Sequence, residues 1–141
     1  MPERARAWQS VTLGDETPPP AGPYSPAVRA GDLLFVSGQV PRDPHTGALL
    51  GGDVTAQARG TLENLRRVLA AAGAGVDDVV SVTVYLADEN DWGAFNAVYR
   101  EVFSPPYPTR TVVGARLRGV LVEVNAVAWL RAPMNADARR G

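Results

Sequence analysis

A chain of 141 residues, 45% hydrophobic and 21% charged, is long enough for one domain with its own core. A net charge of -1 leaves no electrostatic footprint for nucleic acid, and the lack of cysteine excludes thiol catalysis, disulfides and thiolate metal sites. A single histidine cannot build a His-based metal cluster, no apolar run of about 18 residues predicts a transmembrane helix, and the polar N-terminus without a signal-peptide core favours the cytoplasm.

Residues 1–19 read as an N-terminal segment, with a possible first strand over 8–13 anchored by Trp8, Val11 and Leu13. Four prolines (Pro18, Pro19, Pro20, Pro23) make the stretch that follows an extended or turning linker. Residues 26–29 predict a short strand, and Ala30-Gly31-Asp32 a hairpin turn into the apolar run 33–37, which Gly38 should stop. A polar loop covers 41–53, with Asp43-Pro44 and Thr46-Gly47 as turn signals.

Asp53 is placed to cap a helix over 54–72, because Val54, Ala58, Leu62, Leu65, Leu69 and Ala72 recur at helical spacing and Gly73 can end it. Strict alternation of Val80, Val82, Val84 and Leu86 with Ser81, Thr83 and Tyr85 predicts a strand over 79–86. A second helix is expected over 91–103, capped by Asn90 or Asp91, with Trp92, Phe95, Tyr99 and Val102 on one face and Pro105-Pro106 as its stop. Two valine-rich strands then flank a turn at Arg118-Gly119, like a hairpin. A single domain over 20–131 and a flexible tail over 132–141 complete the chain. Strands, helix, strand, helix, two strands fit an α+β layer: a mixed sheet with two helices packed on one face. Strands apolar on both sides suggest that other subunits cover the remaining face.

Two charges stand out in the last pair of strands. Arg110 opens the first, and Glu123 sits among valines in the second. A carboxylate there costs free energy unless something pairs with it or uses it. Taken alone, the two fit either a cross-strand ion pair or a site in which Arg110 clamps a carboxylate and Glu123 handles a proton or a water. Tyr24 in Gly22-Pro23-Tyr24-Ser25 fits a plain turn as well as a site wall. Gly38 in Ser37-Gly38-Gln39 fits a chain reversal as well as a close backbone approach to a ligand. Asn96 could face solvent or aim its amide at a site. His45 reads as a surface residue, and Asp77, Asp78 and the acids of 88–91 as turn and cap residues. No phosphate-binding loop or metal-ligand spacing occurs.

The chain resembles the RidA family (YjgF, reactive intermediate deaminase) from about residue 20 to 130. The resemblance rests on Ala21-Gly22-Pro23-Tyr24-Ser25, Phe35-Val36-Ser37-Gly38-Gln39-Val40-Pro41, Asp43-Pro44-His45-Thr46-Gly47, Gly51-Gly52-Asp53, Thr61-Leu62-Glu63-Asn64-Leu65, Ala71-Ala72-Gly73, Asp77-Asp78-Val79-Val80, Phe95-Asn96-Ala97-Val98-Tyr99, Pro108-Thr109-Arg110 and Val122-Glu123-Val124. It implies a chorismate-mutase-like fold, a homotrimer with ligand clefts between subunits, and cofactor-free hydrolysis of 2-imino and enamine acids to 2-oxo acids and ammonia. It also implies roles: Arg110 for the substrate carboxylate, Glu123 for the attacking water, and Tyr24, Gly38, Asn96 and Val112 as lining positions. Val112 stands where members often have cysteine, Pro26 replaces a usual glutamine, and the connection from Arg110 to Glu123 is slightly shorter. The alternatives are an endoribonuclease or translation-inhibitor activity, as some members are labelled, and a non-catalytic ligand-binding trimer. A pathway-specific role is also open. No nucleic acid, membrane or metal partner is expected.

Overall fold

The computed structural model describes residues 5–14 and 17–131. Six strands and two helices follow in the order β1 (Gln9–Val11), β2 (Ala27–Ala30), β3 (Leu33–Gln39), α1 (Val54–Ala71), β4 (Val79–Leu86), α2 (Trp92–Val102), β5 (Thr109–Gly114) and β6 (Val122–Trp129). The first strand joins the sheet by pairing with β2. Beyond residue 131 the expected tail lies outside the described residues. None of the described helices is long and apolar enough to cross a membrane.

The strands form one mixed sheet in the order β1-β2-β3-β6-β4-β5. All neighbours are antiparallel except β4 and β5. A parallel pair needs a crossover, and α2 supplies it. The last two strands are therefore not a hairpin. The loop after β5 carries the chain across the end of β4 and returns as β6 in the sheet centre. Backbone bonds pin that loop to β4: Ala115 N–H donates to Leu86 at 2.9 Å, and Ala87 N–H to Leu121 at 3.0 Å. Local alternation looks the same in a hairpin and in this arrangement. Only the competition of β4 for both partners separates them.

Both helices pack on one sheet face. Leu62, Leu65, Val68 and Leu69 of α1 and Phe95 and Val98 of α2 cover Val82, Val84, Val122, Val124, Ala126 and Ala128. Asp53 caps α1 by accepting the Ala56 N–H at 2.9 Å. At the other end Gly73, at φ 78°, permits the left-handed turn in which Gly73 N–H bonds Ala70 and Ala74 N–H bonds Leu69. In α2 the expected apolar face is partly revised. Trp92 is 53% exposed, while Asn96 is buried at 7%. A helical turn over Glu89–Asp91, capped by Asp88, precedes α2, and the Asp91 side chain makes no capping bond.

Gly38 does not stop β3, which continues to Gln39 across an irregularity between Val36 and Gln39. Two amides then set the loops around this end of the sheet. Asn64 donates to the carbonyls of Val40 and Arg42, at 3.0 and 2.8 Å. Buried Gln57 donates to Gly52 and accepts from Leu121 N–H at 2.8 Å, tying the entry of β6 to α1. His45 lies exposed in the turn that Asp43 organises.

Candidate active site

Arg110 lies on β5 opposite Val82 and turns to the helix side of the sheet. Its guanidinium carbon sits 4.7 Å from the centre of the Tyr99 ring, 5.8 Å from Trp92 and 6.0 Å from Phe95. Cation–π attraction of about 0.5–2 kcal/mol holds such a cation over a ring and leaves its N–H fork free for an anion. Trp92, Asn96, Tyr99, Arg100, Tyr107, Pro108 and Arg110 line an open pocket of about 280 Å³. Two polar atoms beside it, the Asn96 Oδ1 and the Tyr99 hydroxyl, are buried without a hydrogen-bond partner. Burial pushes the Tyr99 phenol pKa up, partly opposed by the Arg110 charge, so the ring stays neutral. Val112 packs against the core on the same side of β5.

Glu123 belongs to the other face. In β6, Val122, Val124, Ala126 and Ala128 are buried under the helices, so Glu123, Asn125, Val127 and Trp129 point the opposite way. Gly38 meets Glu123 there. A Cβ on Gly38 would come within 2.6 Å of Glu123 Oε2 and 2.9 Å of its Cδ, so a side chain at 38 would displace the carboxylate. Gly38, Pro26 and Tyr24, which is 53% exposed, line a second cleft of about 630 Å³, with Leu13, residues 17–21 and α1 around it.

The predicted residues thus fall into two groups. Arg110, Asn96 and Val112 lie on the helix side, Gly38 with Glu123 on the open side, and Tyr24 in the cleft beside Gly38. Arg110 and Glu123 form no ion pair. Their register partners on the intervening β4 are Val82 and Tyr85. That places them roughly 10 Å apart across the sheet and roughly 10 Å along it, on opposite faces. Sequence reading missed Trp92, Arg100 and Tyr107 as pocket walls. The signal was present in the spacing of Trp92, Asn96 and Arg100 at four-residue intervals, one row on a helix.

The comparisons with known proteins identify the family. The family model described as Endoribonuclease L-PSP matches residues 14–130. A RutC family protein of Pyrococcus horikoshii is 45% identical over 123 residues, covering 86% of this chain and 98% of that protein. The 2-iminobutanoate/2-iminopropanoate deaminase of Mus musculus is 42% identical over 122 residues, covering 85% and 90%. The crystal structure of E. coli TdcF with bound serine superposes with a TM-score of 0.78 at 38% identity, covering 88% of this chain and 99% of that one. The match over nearly the whole described chain, with the mixed sheet and paired helices it predicts, shows that the chain belongs to the RidA/YjgF/RutC (Endoribonuclease L-PSP) family.

Proposed function

We propose that the protein hydrolyses reactive 2-imino acids and their enamine tautomers to 2-oxo acids and ammonia, in a cleft that two copies of the chain build together. The observation that carries this is the split of the candidate residues. A carboxylate receptor, Arg110 with Asn96, lies on one face of the sheet, and the acid Glu123 with Gly38 on the other. Neither group alone offers both a clamp for an acid and a group to manage water. One end of the open sheet face is apolar as well, with Leu33 and Phe35 exposed beside Trp129. Such a face fits contact with further copies, and a cyclic homotrimer brings one copy's Glu123 to its neighbour's Arg110. The 42% identity to a mouse protein named for this activity, and a related structure that holds an amino acid, support the same reading.

The mechanism asks little of the protein. An imine carbon is already electrophilic, so orientation and charge placement suffice. Arg110 binds the carboxylate with its fork, and Asn96 borders the same pocket. Glu123 accepts a proton from water as its oxygen bonds to C2 of the protonated imine, giving a 2-amino-2-hydroxy acid. That proton passes to nitrogen, and as the C–N bond breaks the 2-hydroxyl gives its own proton to Glu123, so that ammonia leaves with the 2-oxo acid behind.

A dehydratase that releases 2-aminoacrylate from serine supplies the substrate, and loss of the imine is followed. Wild type is expected to outpace buffer, and both Arg110→Ala and Glu123→Gln to lose about a hundredfold or more. A wild type no faster than buffer, or an Arg110→Ala variant equal to it, refutes the reading. A shared cleft also predicts complementation. When Arg110→Ala and Glu123→Gln subunits are mixed and reassembled, about a quarter of the sites regain both groups. Activity that stays at the level of the single variants sinks the two-copy arrangement.

A further inference from the structure

Two arginines face the smaller pocket. Trp92, Asn96 and Arg100 form one row along α2, and Tyr107, Pro108 and Arg110 close it from the strand side. No acid lines the pocket. The ion pairs among the described residues include neither arginine, and Glu101, the neighbour of Arg100, is bound by Arg59 at 2.8 Å. The neutral Tyr99 phenol adds no negative charge. One Glu123 from a second copy still leaves the cleft with a positive charge to spare. A protonated imine with one carboxylate is neutral overall and leaves that charge unmet. One with two carboxylates meets it.

We propose that the preferred substrates are imines of acidic amino acids, with Arg110 holding the 2-carboxylate and Arg100 the distal carboxylate. This rests on the imine-hydrolase reading and specifies its substrate class. Trp92, half-exposed in the first turn of α2, walls the far end of the same row. Arg100 also lies in the last turn of α2, where a cation favours the helix dipole. That role alone would change stability and leave substrate choice untouched.

Amino-acid oxidases acting on glutamate and on norvaline release five-carbon imines with and without the distal carboxylate. Their hydrolysis is read with a semicarbazide trap. Wild type is expected to favour the dicarboxylate in kcat/KM by about tenfold or more. Arg100→Ala should cut that ratio about tenfold, Arg100→Lys should keep part of it, and Arg100→Glu should invert it. A wild type without the preference, or an Arg100→Ala variant that keeps the ratio, overturns the proposal and leaves the hydrolase reading standing. If wild type hydrolyses neither imine, the 2-aminoacrylate assay alone decides the hydrolase reading, and calorimetry with the 2-oxo acids decides the two-anion pocket. Tighter binding of 2-oxoglutarate than of 2-oxopentanoate, lost in Arg100→Ala, upholds the two-anion pocket, and equal binding overturns it.

Discussion

At the scale of single residues, the candidate site is defined by what presses on each charge. Glu123 lies so close over Gly38 that a methyl group would collide with its carboxylate. Gly38→Ala is therefore expected to shift Glu123 and lower kcat about tenfold or more, because displacement by an ångström is costly in a positioned site. The thermal midpoint should move little, since the neighbour that must yield is a side chain at a half-exposed position. Kinetics and a melting curve on the same sample check both parts. Tyr99 gives the converse case. Its ring supports the Arg110 guanidinium while its buried hydroxyl has no partner. Tyr99→Phe keeps the ring and removes the orphaned hydroxyl, so denaturant unfolding should find it as stable as wild type or slightly more so. Tyr99→Leu removes the ring, and KM should rise as Arg110 loses its support.

At the scale of elements, the ends of α1 hold the loops that frame the cleft. Asp53→Ala should cost about 1 kcal/mol in unfolding free energy through loss of the Ala56 N–H cap. Gln57→Leu is expected to cost more, about 1–3 kcal/mol, because it leaves the Leu121 N–H without its partner. The same change frees the entry of β6 and so should also lower activity through Glu123, two residues on. The loop before α1 carries a pH dependence. Backbone N–H groups of Thr46 and His45 hold the Asp43 carboxyl below its ordinary pKa. A lowered folded pKa means that this support is complete at neutral pH and disappears as pH falls through the lowered value. Amide exchange should show Thr46 losing protection in acid before the interior of α1 does. Equal protection at both pH values would contradict this.

At the scale of the whole molecule, the open sheet face decides whether the site can be completed. Trp129 is 63% exposed and stands opposite Leu33, with Phe35 beside them. An exposed apolar cluster of this kind on a lone chain predicts association. Phe35→Glu and Trp129→Glu should each give smaller species in sedimentation. They should also abolish imine hydrolysis, although both residues lie outside the two candidate pockets. A monomeric variant that kept full activity would argue against a shared cleft.

The sequence by itself determined the elements and their chemistry. Period-two alternation marked β4, the stripe of α1 and its Asp53 and Gly73 ends were legible, Arg110 stood out as the charge opening a strand and Glu123 as a charge among valines. Segment matches spread along the chain identified the family. Only the tertiary structure decided that β4 lies between β5 and β6, that Gly38 is needed because Glu123 occupies its space, and that Arg100 and Trp92 share a pocket with Arg110. Periodicity reports which way a side chain points relative to its own strand or helix. It carries no information on which strand becomes the neighbour, because strand order follows from non-local hydrogen bonding and from the face the helices cover. Arg110 and Glu123, 13 positions apart in sequence, are divided between the two faces of the sheet for that reason.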